Sequence, residues 1–262
     1  SNAGAYTTSG NMIFPLSSSA YFRLNGSSSD AGNYQTGSGI KPLTEYSTTD
    51  YTAILGTLLS DGSKLEFNYT NNRQDKVGYP GLAMDIVYSY TDMYTLKYHR
   101  VTPLGMFTSV NFELFNTDID HLMDDFVLRG NTGNGAMAWP TASDTYGGRM
   151  IGTIGSDIRA GIDYEHNTKD AEQNMVMNGM NVFMTYLWPG VETEKLGLFF
   201  EKDLNNISFG LRYDQVELDP TKAADDPGSG MMQKTANQVY DADYGVTATK
   251  RDFDNISGFL RF

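Results

Sequence analysis

Ile207-Ser208-Phe209-Gly210-Leu211-Arg212-Tyr213 alternates apolar with small or polar residues at every step. Successive side chains of an extended strand point to opposite faces. Ile207, Phe209, Leu211 and Tyr213 therefore make one apolar face, and Ser208, Gly210 and Arg212 one wet face. Helical spacing does not fit the run. Leu65, Phe67 and Tyr69 repeat the pattern against Glu66, Asn68 and Thr70; Ile158, Ala160, Ile162 and Tyr164 repeat it against Arg159, Gly161 and Asp163. Less regular versions lie near Ser19 to Asn25, Glu45 to Leu55, Asp92 to His99, Phe107 to Phe115, Gly147 to Ile154, Lys195 to Glu201 and Asn255 to Phe262, which brings the expected strands to ten.

The connections carry the second half of the argument. Asp61-Gly62, Thr102-Pro103-Leu104-Gly105, Gly155-Ser156-Asp157 and Asp203-Leu204-Asn205-Asn206 are hairpin-length turns of Gly, Pro, Asn, Asp and Ser. Between them run long connections, from about Ser27 to Ile40, Arg73 to Ile86, Asp118 to Tyr146, Asn167 to Glu194 and Glu217 to Asp252. Several exceed the ~12 to 15 residues usual in compact domains. In this reading long and short strictly alternate. A soluble sandwich has no reason to gather its long loops at one end, whereas a barrel whose outer loops meet ligands does. The expected fold class is all-β: an antiparallel transmembrane β-barrel of about ten strands, with short turns alternating with long extracellular loops, in the cell outer membrane.

Composition agrees. The 262 residues are 40% hydrophobic with 17 Tyr, 14 Phe and 27 Gly, and no apolar run approaches the ~20 residues of a membrane helix. A barrel offers lipid only every second residue, so modest hydrophobicity is compatible with membrane residence. The tyrosines suit interfacial girdles, although Tyr and Phe are also good strand formers. A net charge of −13 argues against nucleic acid, whose phosphates need a basic surface. Asp118-Ile119-Asp120, Asp124-Asp125 and Asp225-Asp226 either concentrate cations at a pore mouth or form a solvated loop face. With no cysteine, disulfides, thiolate zinc sites and Cys nucleophiles are absent from the chain. Ser1-Asn2-Ala3 reads as an expression scar; residues 4–262 read as a single β-barrel domain or part of a larger barrel.

The sharpest chemical constellation is Asp120-His121-Leu122-Met123-Asp124. If the strand from Phe107 continues without a bulge, His121 and Met123 share the parity of Ser109, Asn111 and Glu113, the polar side. Residues two apart on one strand face lie about 7 Å apart at their α-carbons, within reach of one metal ion. Imidazole with thioether suits copper, particularly Cu(I), better than magnesium or calcium. Two ligands do not close a site, so other donors have to come from other loops or from protein outside the chain. Met84, Met137, Met175, Met177, Met180, Met184, Met231 and Met232 fall in expected outer loops and are further thioether candidates, although Met also fills packing gaps. For His121 the plainer reading is a loop anchor hydrogen-bonded to neighbouring carboxylates.

No enzymatic activity is expected. His99, His121 and His166 sit in no H-E-x-x-H arrangement, and no nucleophile elbow or phosphate loop is present. His99 shares a face with Thr95 and Lys97 without a nucleophile at local spacing, and sequence reasoning cannot bring Glu113 and Asp163 together.

Several phrases, in order, resemble the barrel of TonB-dependent outer-membrane receptors, specifically their copper-receptor branch. They are Tyr34-Gln35-Thr36-Gly37-Ser38-Gly39, Tyr79-Pro80-Gly81-Leu82-Ala83-Met84-Asp85, Asp120 to Asp124 with Leu128-Arg129, and Ser143-Asp144-Thr145-Tyr146-Gly147-Gly148-Arg149. Leu196 to Glu201, Gly210 to Asp214 and Ser257 to Arg261 follow and are less specific. The resemblance covers about residue 18 to the end. It implies a larger barrel of ~22 strands, an N-terminal plug carrying soft ligands that this chain lacks, and energy coupling through TonB. It also implies that His121 and Met123 are the barrel's contribution to copper binding; Met84, in the Tyr79 to Asp85 phrase, is the third candidate ligand. Copper, as ion or complex, is then cargo rather than a tightly bound cofactor. The other partners are the plug, TonB and outer-membrane lipid, and the chain is an internal barrel segment that does not transport by itself. The competing hypothesis is a β-sheet binding or adhesive protein for a siderophore-like or carbohydrate ligand, using Trp139, Trp188 and loop tyrosines.

Overall fold

A computed structural model describes residues 3–131, 133, 135–228 and 232–262. Ser1 and Asn2 of the expected scar, and Met231, lie outside the described residues. The strands are β1 (Tyr6–Pro15), β2 (Ala20–Ala31), β3 (Tyr46–Leu58), β4 (Lys64–Val77), β5 (Asp85–Arg100), β6 (Ser109–Asp124), β7 (Met137–Ile154), β8 (Ile158–Met177), β9 (Met180–Leu204), β10 (Ile207–Pro220) and β11 (Arg251–Arg261); α1 (Ala236–Tyr244) precedes β11. All eleven strands form one antiparallel sheet in sequence order, and β1 and β11 do not pair with each other. No helix among the described residues is long and apolar enough to cross a membrane, which says nothing about crossing by strands.

Directly opposed residues of antiparallel neighbours share a face, so the register sorts every side chain. One row runs Tyr213, Leu198, Ile162, Met150, Phe112, Tyr98, Leu65, Thr57, Ala20 from β10 to β2 and is apolar almost throughout. The opposite face carries Glu66, Lys97, Glu113, Arg149 and Asp163 in successive strands. Charges of opposite sign alternate along that row, the favourable cross-strand arrangement. Glu113 and Asp163, which the sequence could not relate, thus flank Arg149. The apolar face is bounded at one end by Tyr51, Tyr69 and Tyr94, whose rings meet at 5.6 and 5.0 Å.

Three expectations are corrected. The sequence reading missed β1, in which alternation is weak outside Met12 and Phe14; its ladder with β2 makes it a strand. The long connection from Asn167 to Glu194 does not exist, because β8 and β9 run on to a two-residue turn at Asn178-Gly179. Strict alternation of long and short connections fails there, and the 78–84 connection is no longer than 101–108. The connections expected at 73–86, 118–146 and 217–252 are shortened as strands extend into them, the one expected at 27–40 is shifted to 32–45 at the same length, and the last holds α1, whose Thr235 makes a capping box with Gln238.

Buried apolar side chains concentrate at one end of the sheet. Met84, Ile86, Ala136, Ala138, Ala171 and Met184 are all buried there, where the 78–84 and 125–136 connections and the β8–β9 hairpin fold onto strand ends. That end carries the candidate site.

Candidate metal site

β6 pairs with β7 without a register shift from Ser109 to Asp124, so the parity argument holds along its length. His121 and Met123 stand on the face of Glu113 and Arg149. Ser89 and Thr141 oppose His121, and Ile86 and Trp139 oppose Met123. Met84 immediately precedes Asp85, whose cross-strand partner is Asp124. The fold therefore brings all three candidate ligands to the last rungs of the β5–β6 ladder. Met84 is only 6% exposed, against the expectation of an exposed loop methionine, whereas His121 and Met123 are half-buried.

His121 makes no side-chain hydrogen bond among the described residues, so the anchoring role expected of neighbouring carboxylates is not what holds it. Strand parity explains this: Asp120 and Asp124 point to the other face. Asp120, Asp118, Asp92 and Asp144 lie beyond the tyrosine row, past the apolar belt, and so does His121. Burial draws the His121 imidazole below its ordinary pKa, opposed by the charge of Asp120, which favours the neutral ring with a free lone pair.

Asp118, Asp120 and Asp124 do not line the face of His121. Asp118 stands directly between Asp92 and Asp144 on the opposite face, and Asp124 is buried.

Register reveals an arrangement that residue spacing could not. Met137 of β7 faces Met175 of β8, and Met177 of β8 faces Met180 of β9. Met175 and Met177 are two apart on one strand. Met137 is two before Trp139, the neighbour of Met123. Met123, Trp139, Met137, Met175, Met177 and Met180 thus share a face in an arc along the strand ends. Met184 is buried and Met232 is exposed.

The other histidines lie elsewhere. His99 pairs with Asn111 near the opposite end of β5, and His166 stacks on Tyr146 at 4.9 Å on the other face. Trp139 and Trp188, read as loop aromatics, lie on β7 and β9. No group of three or more His, Cys, Asp or Glu side chains able to hold a metal occurs among the described residues.

An antiparallel meander with one apolar face, one charged face and its buried side chains gathered at a single end is the wall of a β-barrel. The solved structure described as copper transporter OprC has this fold: it matches 99% of this chain at a TM-score of 0.73 and 17% sequence identity. The chain spans 44% of the length of that protein. No family model and no curated protein sequence matches the chain.

Proposed function

We propose that this chain forms part of the wall of an outer-membrane barrel that takes up copper, with His121 and Met123 as its ligands to the cargo ion and Met84 beside them. The observation that carries the reading is an imidazole without a side-chain hydrogen-bond partner among the described residues and a thioether on one strand face, at the head of an arc of methionines. That donor set favours a soft ion such as Cu(I), whereas calcium and magnesium require oxygen ligands. The transporter fold of the OprC match is consistent with the reading.

In this reading the apolar face meets lipid, the tyrosine row lies at headgroup level, and the charged face lines the lumen. Two or three donors leave the centre open. The remaining ligands come from a plug domain elsewhere in the full polypeptide, and TonB supplies the energy for release. The chain carries out no chemistry on the ion beyond ligation, and no resident cofactor is assigned.

The test is a competition titration of Cu(I) against a chelator of known affinity, using the full polypeptide in detergent. His121→Ala with Met123→Leu is expected to weaken binding at least ~10-fold, in line with loss of metal-site residues. Equal affinity of variant and parent would remove the copper role.

A further inference from the structure

Two carboxylates meet at the rung where β5 begins and β6 ends. Asp85 and Asp124 are cross-strand partners and are 0% and 1% exposed. Buried like charges facing each other are unfavourable, so this rung needs compensation on both sides. Asp85 receives it from Arg129, 44 residues along the chain: Nε donates to Oδ2 at 2.6 Å and Nη2 to Oδ1 at 2.9 Å. The Tyr79 N–H also donates to Asp85 Oδ1, at 2.8 Å, and Arg129 Nη2 donates to the Tyr79 carbonyl at 2.9 Å. One guanidinium therefore grips both the first side chain of β5 and the backbone of the connection before it.

Asp124 is held differently. Its Oδ1 accepts the Phe126 and Val127 N–H groups at 3.1 and 2.9 Å, which turns the chain at the end of β6 toward Arg129. Asp125 extends the frame, accepting the Met137 N–H at 2.9 Å while its own N–H donates to the Met137 carbonyl at 3.2 Å.

We infer that Asp85 and Arg129 are positioning residues for the thioether centre, locking the 78–84 and 125–136 connections together and so fixing Met84 relative to Met123. The inference rests on the copper reading above. Three candidate thioethers sit beside an anchored carboxyl: Met84 next to Asp85, Met123 next to Asp124, and Met137 bonded through its backbone to Asp125. Thioether sulfur is a weak acceptor that cannot organise its own surroundings, so placement has to come from the backbone. A planar two-pronged guanidinium provides it; an ammonium offers a point charge without the fork. This also gives a physical role to two separated phrases of the sequence, Tyr79 to Asp85 and Leu128-Arg129.

The test uses the full polypeptide in detergent with Asp85→Asn, Arg129→Gln, Arg129→Lys and the Asp85→Asn/Arg129→Gln pair. Amide hydrogen exchange is followed without metal across 79–85 and 124–130. Silver(I), a diamagnetic soft cation, is then titrated against a chelator while methionine methyl groups are followed by carbon NMR. Asp85→Asn and Arg129→Gln are each expected to speed exchange in both segments together and to weaken silver binding about 10-fold. The pair should lose no more than either alone, because both act through one contact, and Arg129→Lys should not restore the parent. Should Arg129→Gln fail to fold, Asp85→Asn, which keeps the side-chain shape, carries the test. Unchanged exchange overturns the inference, and so does faster exchange with silver affinity and methionine methyl shifts like the parent's. His121→Ala with Met123→Leu separates the two readings: if that variant binds silver like the parent, the copper reading fails and the positioning role with it, whatever the exchange data show.

Discussion

Met137 and Met175 stand directly opposite each other across β7 and β8, and two rungs further on Met177 and Met180 do the same across β8 and β9. Four thioethers thus share one face, on strands rather than in loops, and under the copper-uptake proposal they are further donors for a soft ion. Met→Leu replacement removes sulfur while conserving volume, and such swaps usually cost under ~1.5 kcal/mol each. Replacing all four with Leu is expected to lower the number of silver ions bound per full polypeptide, read by elemental analysis after desalting, while leaving the His121 and Met123 site filled. An unchanged stoichiometry would deny the arc any part in metal handling.

Gly56 faces Tyr21 across β2 and β3, and a Cβ on Gly56 would clash with two Tyr21 ring carbons. The ring occupies that space because the glycine leaves room, and its hydroxyl donates to Glu66. Gly56→Ala is expected to push the ring off and cost about 1–3 kcal/mol, the usual penalty for overpacking. In a Tyr21→Ala background the same substitution should cost little. Urea unfolding of the four members of this cycle measures the difference, and equal costs in both backgrounds would mean the ring is not what excludes a side chain there.

The wall was legible because alternation survives wherever one face is apolar and the other charged, as at Ile207 to Tyr213. What failed was the part of the sheet beyond the apolar belt, where apolar and polar residues no longer sort by face and period two leaves no signal. There Asp118, Asp120 and His121 read as loop yet belong to β6, and Asn167 to Glu194 reads as loop yet is the β8–β9 hairpin. One local signal does mark that hairpin: Asn178-Gly179, with φ of 52° and 78°, is the residue pair that two-residue hairpins favour. The faces of His121 and Met123 followed from parity alone. The Asp85 to Arg129 contact and the methionine pairs could not, because they depend on which residues register sets opposite and which connections fold back.

That turn supplies its own prediction. Both central residues hold positive φ, which glycine adopts freely and Asn tolerates, but a β-branched residue does not. Gly179→Val is expected to destabilise the hairpin tip by about 1–2 kcal/mol, seen as faster amide exchange over 174–183 with the rest of the sheet unaffected. Asn178→Gly should leave exchange close to that of the parent. If Gly179→Val exchanges like the parent, the backbone does not need the left-handed conformation at that position.

Arg212 of β10 reaches across β9 to β8 on the charged face. Its Nη1 and Nη2 donate to Asp163 on β8 at 2.9 Å each, and Nε donates to Asp214 on its own strand at 2.9 Å. β9 lies between β8 and β10, and the guanidinium crosses it over Gly197, where a Cβ would collide with Arg212. Removing the arginine leaves two partly buried carboxylates flanking Gly197, offset by Arg149, 4.0 Å from Asp163, and by the charge of Lys195. Arg212→Leu is therefore expected to cost on the order of 2 kcal/mol, the scale of charge-assisted hydrogen bonds. Adding Asp163→Asn should recover part of that loss by removing one of the two charges. The recovery separates a charge effect from lost packing: Asp163→Asn relieves repulsion but fills no space, so a double variant as unstable as Arg212→Leu alone would assign the loss to packing across Gly197.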